Sequence, residues 1–274
     1  MSADAVAPGG PGRSPLVPEL IVPDLIVPDL IVLAGGSGTR LGGTAKPAVE
    51  IAGRTLLSRA LDARTLATRT VVVGPESCRA AAGAAAAQVL WALEDPPLGG
   101  PVAGVAAGLA ALERDAAHPP DSSTRASGWV LLLACDLPWA ADAARILLAA
   151  ARPATDPPHA ADAADPLDAL DVLDALDALD GIHLVDAAGR AQWLAGLYRT
   201  SALSAAVRLA GAGARGGRMR DLLSGLRLRG ILDDSNAGRD VDTWQDVAAT
   251  EAILNPPARG PRIDATNPAE AAAD

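Results

Sequence analysis

A run of four apolar residues, 30–33, opens directly into a glycine-rich loop that carries two basic side chains, Arg40 and Lys46. Glycine lacks a Cβ atom, so its backbone N–H groups can turn toward a ligand and approach it closely. The loop glycines are Gly35, Gly36, Gly38, Gly42 and Gly43. The chain has 23 Lys and Arg residues, and Lys46 is the only lysine among them. An arginine and this single lysine beside such a loop indicate a phosphorylated ligand that binds just after a buried strand.

The spacing of these glycines excludes two common nucleotide-binding motifs. A P-loop requires G-x-x-x-x-G-K-[ST], and no glycine of this loop is followed by lysine. The dinucleotide fingerprint G-x-G-x-x-G is not met either, because Gly36, Gly38 and Gly42 are spaced G-x-G-x-x-x-G. The next expected strand also ends in Gly74 and not in the acidic residue that would bind a ribose. The loop L-A-G-G-S-G-T-R-L-G-G-T-A-K therefore belongs to another class of phosphate-binding loop.

Downstream of the loop, segments of strand character alternate with segments of helical character. This alternation predicts an α/β fold with a mostly parallel sheet and helices on both faces, and a ligand site at the carboxyl ends of the strands. Segments 182–185 and 192–198 read as an antiparallel hairpin, and Thr243 as the N-cap of the last helix. The other expected strands are 30–33, 70–73, 89–93, 129–134 and 228–232. The expected helices are 55–69, 76–87, 103–114, 140–151, 201–210, 219–226 and 244–254.

Charge and cysteine content exclude several functional classes. The net charge of −10 argues against a nucleic-acid partner. Residues 153–180 contain eight Asp and no Lys or Arg, which leaves −2 for the rest of the chain. Asp and Leu recur there every three residues without forming a continuous apolar face, so we interpret the stretch as an acidic low-complexity insert without an active-site role. Cys78 and Cys135 have no metal-ligand spacing and are expected to be buried, reduced thiols.

The two ends of the chain differ from its middle. Residues 1–28 are first rich in Pro, Gly and Ala and then repeat V-P-D-L-I, which we interpret as a disordered and duplicated approach to the first strand. Residues 255–274 read as a disordered tail, so one domain is expected at 29–254. No apolar run approaches the about 18–20 residues of a membrane span, and the N-terminus lacks the order of a signal peptide. A cytoplasmic protein without a membrane partner is expected.

The glycine loop resembles the signature loop of the MobA-like family of nucleotidyltransferases, and the resemblance extends over most of 29–254. Its other segments are E-D-P-P-L-G-G-P-V-A-G, L-L-L-A-C-D-L-P, R-A-Q-W-L-A-G-L-Y-R and D-V-D-T-W-Q-D-V. The resemblance implies a three-layer α/β/α, Rossmann-like fold of the nucleotide-diphospho-sugar transferase type. Its sheet would be mostly parallel with a small antiparallel part.

The resemblance also implies roles for individual residues. Lys46, Arg40 and Asp136 would be catalytic, and Asp136, assisted by Asp242, would hold Mg²⁺. Asp136 has a reason of its own to be functional, because a carboxylate at the end of a buried strand is costly unless paired or bound to a cation. The competing interpretations are a helix cap for Asp136, a helix N-terminal residue for Asp242 and a turn residue for Asp95. The implied nucleotide-binding residues are Leu33, Ala34, Gly35, Gly36, Ser37, Gly38, Thr39, Lys46, Asp95, Gly100 and Asp136.

The function that the resemblance implies is nucleotidyl transfer from GTP to molybdopterin or the molybdenum cofactor, with release of pyrophosphate. Alternatives are cytidylyl transfer to the same cofactor, transfer to a sugar phosphate or phospholactate, and a non-catalytic nucleotide-binding regulator. Such transfer requires charge neutralisation and positioning and no protein nucleophile. A monomer or small homo-oligomer is expected.

Overall fold

The computed structural model describes residues 26–35, 41–95, 97–117, 128–151 and 178–256. Most of the N-terminal extension, loop residues 36–40, most of the acidic insert and the tail lie outside these ranges. The predictions made for those segments, including the domain boundaries, therefore stay predictions.

A seven-stranded sheet forms the centre of the described fold. The strands are β1 Asp29–Leu33, β2 Glu50–Ile51, β3 Arg54–Thr55, β4 Thr70–Val73, β5 Leu90–Ala92, β6 Trp129–Ala134, β7 Gly181–Val185, β8 Ala191–Arg199 and β9 Leu228–Leu232. The central sheet has the order β5-β4-β1-β6-β8-β7-β9, and β2 pairs with β3 in a separate two-stranded sheet. Within the central sheet only β8 is antiparallel to its neighbours. The carboxyl ends of the other six strands therefore lie at the same edge of the sheet.

Strand β1 is buried on both faces because its side chains alternate between two apolar clusters. Leu30 and Val32 belong to one cluster, and Ile31 and Leu33 belong to the other. All five residues of the strand are buried, which matches the continuous apolar run expected of a central parallel strand. The chain can supply such strands without a single Phe because Val, Leu and Ile fill both faces.

Helices cover both faces of the sheet. They are α1 Leu56–Ala60, α2 Pro101–Ala117, α3 Ala140–Ala150, α4 Thr200–Ala210, α5 Met219–Leu223 and α6 Trp244–Leu254. Helices α1 and α3 contribute to the cluster of Leu30, whereas α2, α4 and α5 contribute to the cluster of Ile31. The predicted three-layer α/β/α architecture with a mostly parallel sheet is confirmed. None of the helices in the described ranges is long and apolar enough to cross a membrane.

Two segments form less α-helix than their sequences indicate. In the predicted helix 55–69, α1 ends at Ala60 and the chain continues as a 3₁₀-helix, Leu61–Leu66. The alanine-rich segment 76–87 forms two 3₁₀-helices, Glu76–Cys78 and Ala80–Gln88. The second is interrupted at Gly83, whose φ of 56° lies in the left-handed region that glycine alone adopts without penalty. A prediction from the helix propensity of the many alanines misses this break at a single glycine.

The start of β1 is fixed by a buried ion pair. Asp29 belongs to the last copy of the V-P-D-L-I repeat, and its Oδ2 accepts a 2.6 Å hydrogen bond from Arg69 Nη2. Arg69 also donates to the carbonyl of Leu112 at the end of α2. This confirms that the last copy of the repeat enters the sheet.

Candidate active site

The carboxyl edge of the sheet brings three loops together. The N–H of Ala34 after β1 donates to the Val73 carbonyl at 2.7 Å, and the N–H of Gly74 donates to the Ala92 carbonyl at 2.9 Å. On the other side, the N–H of Cys135 donates to the Leu33 carbonyl at 2.9 Å. Strand pairing therefore continues one residue beyond each strand and places the following side chains at a common edge.

Lys46 joins two carboxylates at this edge. Its Nζ lies 2.9 Å from Asp136 Oδ2 and also donates to Asp242 Oδ1. Lys46 begins a short 3₁₀-helix, Lys46–Ala48, and the following Pro47 fixes the backbone there and is buried. The side chains of Lys46 and Asp136 are only 19% and 16% exposed, so their attraction is less screened than that of a surface pair.

Asp242 reaches the site through the backbone that leads from β9 to α6. The N–H of Val241 donates to the carbonyl of Asp136 at 3.0 Å, which holds the two segments side by side. Immediately after Asp242, Thr243 and Asp246 form a capping box: Thr243 Oγ1 accepts from the Asp246 N–H, and the Asp246 carboxylate accepts from the Thr243 N–H. The prediction that Thr243 caps the last helix is confirmed.

The electrostatics of the site are those of one ammonium held among several carboxylates. Burial alone would lower the pKa of Lys46, but the carboxylates of Asp136 and Asp242 outweigh it and raise the pKa above its usual value. Asp240 is exposed as a residue, yet the pKa of its carboxyl is raised. Desolvation of the carboxyl is the largest cause, and repulsion from Asp136 and Asp242 adds to it. Lys46 is therefore charged throughout the physiological range, and the acidic surroundings favour an additional cation.

A cavity of ≈ 550 Å³ opens beside Asp136. It is large enough for a nucleotide-sized ligand. Its walls come from four places: the end of β1, the loop before α2 with the first residue of that helix, the end of β6, and β8. The lining residues are Leu33, Gly35, Glu94, Leu98, Gly100, Pro101, Ala134, Cys135, Asp136 and Leu194.

The structure thus brings several predicted site residues together. Leu33, Gly35, Gly100 and Asp136 share this cavity, and Lys46 reaches it through Asp136. Ala34 lies in the chain between the cavity-lining residues Leu33 and Gly35 and is itself buried. The remaining members of the predicted loop, Gly36, Ser37, Gly38, Thr39 and Arg40, lie outside the described residues, and their roles stay predictions.

Asp95 is placed differently from its neighbour Glu94. Asp95 is exposed and lines an adjacent cavity with residues such as Arg114 and Arg215. Glu94 instead lines the cavity that contains Asp136. Sequence reasoning singled out Asp95 and did not consider the Glu94 side chain. The available signal was its position, because Glu94 comes two residues after β5 at the same edge of the sheet.

The two cysteines are the thiols to consider as possible nucleophiles near the site. Cys135 lines the cavity, but the pKa of its thiol is raised well above the usual value. Burial is the main cause, and the negative charge of Asp136 adds to it. A protonated thiol is a weak nucleophile. Cys78 and Cys135 are both free and buried, as expected. The arrangement therefore suits positioning and charge neutralisation more than covalent catalysis.

The donor atoms of the site fit a divalent cation shared with a phosphorylated ligand. Within the described ranges, no three His, Cys, Asp or Glu side chains converge as a complete metal site. Asp136 and Asp242 nevertheless converge on one positive charge, the Lys46 ammonium. Mg²⁺ is commonly held by one or two carboxylates, with phosphates and water completing its shell. Two neighbouring carboxylates, one of which lines a ligand-sized cavity, match that pattern.

Comparisons with known proteins agree with this geometry. A molybdenum cofactor guanylyltransferase of Rhodopseudomonas palustris (strain BisB5) is 38% identical over 110 residues, which cover 39% of this chain and 47% of that relative. The matched part of the chain thus spans about half the length of the curated relative.

Two solved structures share the fold. Molybdopterin-guanine dinucleotide biosynthesis protein A from Archaeoglobus fulgidus has a TM-score of 0.51 and 17% identity, over 82% of this chain and 98% of its own. The 4-diphosphocytidyl-2C-methyl-D-erythritolsynthase from Anaerococcus prevotii DSM 20548 has a TM-score of 0.51 and 12% identity, over 84% and 99% of the two chains. At these identities the likeness concerns the fold alone, and it agrees with the expected three-layer α/β/α architecture.

The family model of the MobA-like NTP transferase domain matches residues 30–229, which contain β1, the glycine loop, Lys46, Asp136 and the hairpin β7–β8. This match covers well over half of the chain, and it includes four of the five segments on which the resemblance was based; D-V-D-T-W-Q-D-V, residues 240–247, lies beyond it. The chain therefore belongs to the family of MobA-like NTP transferase domains.

Proposed function

We propose that the chain is a divalent-metal-dependent nucleotidyltransferase that transfers GMP from GTP to the phosphate of a pterin-type acceptor and releases pyrophosphate. The observation that carries the proposal is the Lys46 ammonium held between Asp242 and Asp136, the second of which lines a nucleotide-sized cavity. The guanylyltransferase relative supports the choice of GTP and of the molybdenum cofactor precursor molybdopterin.

The reaction requires an acceptor phosphate oxygen to bond to the α-phosphorus of GTP while the bond from that phosphorus to the β-phosphate oxygen breaks. Negative charge accumulates on the pyrophosphate that leaves. Lys46 supplies a fixed positive charge at the site. This ammonium stabilises the negative charge on the leaving pyrophosphate without reorganisation of solvent. The N–H groups of the glycine loop and Arg40 are proposed to hold the triphosphate.

Asp136 and Asp242 are the residues that would hold the metal ion, for which we propose Mg²⁺. Members of the family generally use a divalent metal. When bound, such an ion screens the charge of the phosphate oxygens. The carboxylates themselves orient Lys46 and keep it protonated. Their own negative charge also discourages entry of a triphosphate without its counterion.

The test is pyrophosphate release with Mg²⁺ and GTP, CTP, ATP or UTP, each with and without molybdopterin. Release with GTP that depends on both Mg²⁺ and molybdopterin, and a guanine dinucleotide product by mass spectrometry, is the expected result. Preferential release with CTP would favour the cytidylyl alternative. Nucleotide binding without release from any NTP would overturn the enzymatic proposal in favour of a nucleotide-binding regulator.

A matched pair of variants connects this activity to the proposed site. Asp136→Asn removes one charge from a residue in contact with Lys46, and it is expected to abolish Mg²⁺-dependent release. Asp142→Asn removes the same charge from an exposed residue of α3 that pairs with Arg145, and it should leave release unchanged. Equal activity of the two variants would remove Asp136 from the mechanism.

A further inference from the structure

Glu94 is placed on the wall of the nucleotide-sized cavity with one oxygen unpaired. Its Oε2 is buried, and within the described part of the chain it has no hydrogen-bond partner. A buried carboxylate oxygen without a partner costs free energy, and such groups in folded proteins call for an explanation. Because Glu94 lines the same cavity as Asp136, a ligand in that cavity can supply the missing hydrogen bonds.

The surroundings of Glu94 hold its carboxylate in position. A Cβ at Gly35 would lie 2.7 Å from Glu94 Oε1, so the absence of a side chain at Gly35 makes room for the carboxylate. The position of a Cβ at Gly104, in the first turn of α2, lies 3.5 Å from the same oxygen. The first turn of a 17-residue helix is a favourable place for a negative charge. The two glycines therefore leave room for the Glu94 carboxylate at the cavity wall.

The rest of the cavity suits a nucleobase. Leu33, Leu98, Pro101 and Leu194 line it with apolar surface, and its charged lining residues are Glu94 and Asp136. An apolar lining accommodates the faces of an aromatic ring, while a few fixed polar groups identify its edge. A nucleotide whose phosphates lie near Lys46 and Asp136 would have its base on the side of Glu94.

From this arrangement we propose that Glu94 reads the Watson–Crick edge of guanine, accepting hydrogen bonds from N1–H and from the N2 amino group. The proposal rests on the proposed function, because it names the base that the transferred nucleotide carries. It assigns specificity to a side chain that lies beside the phosphate-binding loop and not within it.

The chemistry of the bases supports guanine over the others. An ionised carboxylate accepts hydrogen bonds and donates none, so it pairs best with two adjacent donors. On the Watson–Crick edge, guanine alone offers two adjacent donors, N1–H and N2–H. Cytosine and adenine each place an acceptor beside their amino group, and uracil has a single N–H between two carbonyls. Each of these would direct a lone pair toward Glu94, which is repulsive.

The experiment compares binding of GTP, ITP and CTP, with Mg²⁺, to the wild type and to the Glu94→Gln variant by isothermal titration calorimetry. ITP retains N1–H and lacks only the N2 amino group, so the GTP/ITP affinity ratio measures one of the two proposed hydrogen bonds. The wild type should prefer GTP over ITP by roughly tenfold to a hundredfold, the range of one hydrogen bond to a charged group. Glu94→Gln should bring that ratio close to one.

The same substitution should also change the response to CTP. A glutamine amide has one acceptor and one donor side by side, which matches the amino group and N3 of cytosine. CTP should therefore bind Glu94→Gln at least as well as it binds the wild type, while GTP binding falls. Glu113→Gln is the matched control, because Glu113 is exposed on α2, nine residues beyond Gly104, and should keep the wild-type ratios.

The outcomes separate this proposal from the proposed function. A wild type that does not distinguish GTP from ITP, or a Glu94→Gln variant that keeps the full GTP/ITP ratio and a native circular dichroism spectrum, overturns base reading by Glu94. A wild type that prefers GTP over ITP and releases no pyrophosphate, with a variant that loses this preference, supports base reading and rejects nucleotidyl transfer.

Discussion

Lys46 connects two carboxylates that lie 90 and 196 residues further along the chain. Lys46→Ala is expected to lower kcat by roughly 10²–10³, the usual effect of removing one fixed donor from a site where negative charge develops. The measurement is steady-state pyrophosphate release with GTP, Mg²⁺ and molybdopterin.

Lys46→Arg provides the control for this prediction. Arginine keeps the positive charge but replaces a compact ammonium by a planar group, so partial recovery of kcat is expected. If Lys46→Ala has near-normal release, Lys46 only holds the two carboxylates apart and has no role in transfer.

His183 provides a second prediction, on pH dependence. It is buried in β7, it packs against Trp193 with ring centroids 4.3 Å apart, and its Nδ1 lies 2.9 Å from the Leu184 carbonyl, to which it donates. Burial lowers the pKa of His183, partly offset by that hydrogen bond. The unfolded chain therefore takes up a proton before the folded one, and the free energy of unfolding is reduced as the pH falls below about 6.5.

The measurement is urea unfolding at about pH 7.5 and about pH 5.5, on either side of the ordinary histidine pKa. The His183→Asn variant can still donate to the Leu184 carbonyl but does not titrate. The wild type should lose more stability than this variant between the two pH values. Equal losses would show that His183 does not contribute to acid sensitivity.

At the residue scale, the sequence identified candidate site residues where an unusual side chain stood at the end of a predicted strand or in the glycine loop. Lys46 stood out as the only lysine, and Asp136 as a carboxylate at the end of an apolar strand. Their contact could not be deduced, because a hydrogen bond between side chains depends on how two loops approach each other. Glu94 and Asp95 were indistinguishable by sequence, since which of two consecutive side chains faces the cavity is decided by the path of the backbone after β5.

At the scale of elements, the N-terminus of α6 positions Asp242. The Asp246 carboxylate accepts from the N–H groups of both Asp242 and Thr243, so the capping box holds the backbone of a site residue. Thr243→Ala is expected to lower the free energy of unfolding by about 1 kcal/mol, as for other N-cap threonines. It should also reduce transfer, because Asp242 would no longer be held beside Lys46. Urea unfolding and pyrophosphate release measure the two effects.

Thr243→Ser keeps the hydroxyl and should keep both stability and activity. A Thr243→Ala variant with lowered stability and unchanged transfer would mean that the cap serves the helix alone and that Asp242 is positioned by Val241.

Among the elements, those with strong periodicity or clear boundaries were predicted well. β4 and β6 occupy the predicted residues, because β-branched or aliphatic runs are bounded by residues that end a strand. Helix α6 also begins and ends as predicted, since Thr243 supplies an N-cap. The alanine-rich segment 76–87 was not predicted correctly, because the helix propensity of Ala outweighed in the prediction the break that Gly83 makes at a positive φ.

At the scale of the whole molecule, the charge is distributed so that the described fold is nearly neutral. The insert 153–180 carries −8 of the net −10. Described structure ends at Ala151, after α3, and resumes at Ala178, before β7, so both ends of the insert join the face of the sheet that α1 and α3 cover. The sequence predicted an insert without an active-site role here, and this stays a prediction.

The last prediction concerns replacement of residues 156–177 by a short Gly/Ser linker. The replacement stops before Leu179, whose carbonyl accepts from Arg199 Nε at 2.9 Å, and before Asp180, whose carboxylate accepts from the Arg227 N–H at 2.9 Å. Shortening a connection lowers the entropic cost of closing it only slightly, by about 0.6 kcal/mol for each halving of its length, so the free energy of unfolding should rise by about 1 kcal/mol or less. kcat should keep its order of magnitude. Because the removed residues are acidic, the KM for the anionic GTP should fall at low ionic strength and stay unchanged at high ionic strength. A folded but inactive replacement would mean that the insert takes part in binding the acceptor.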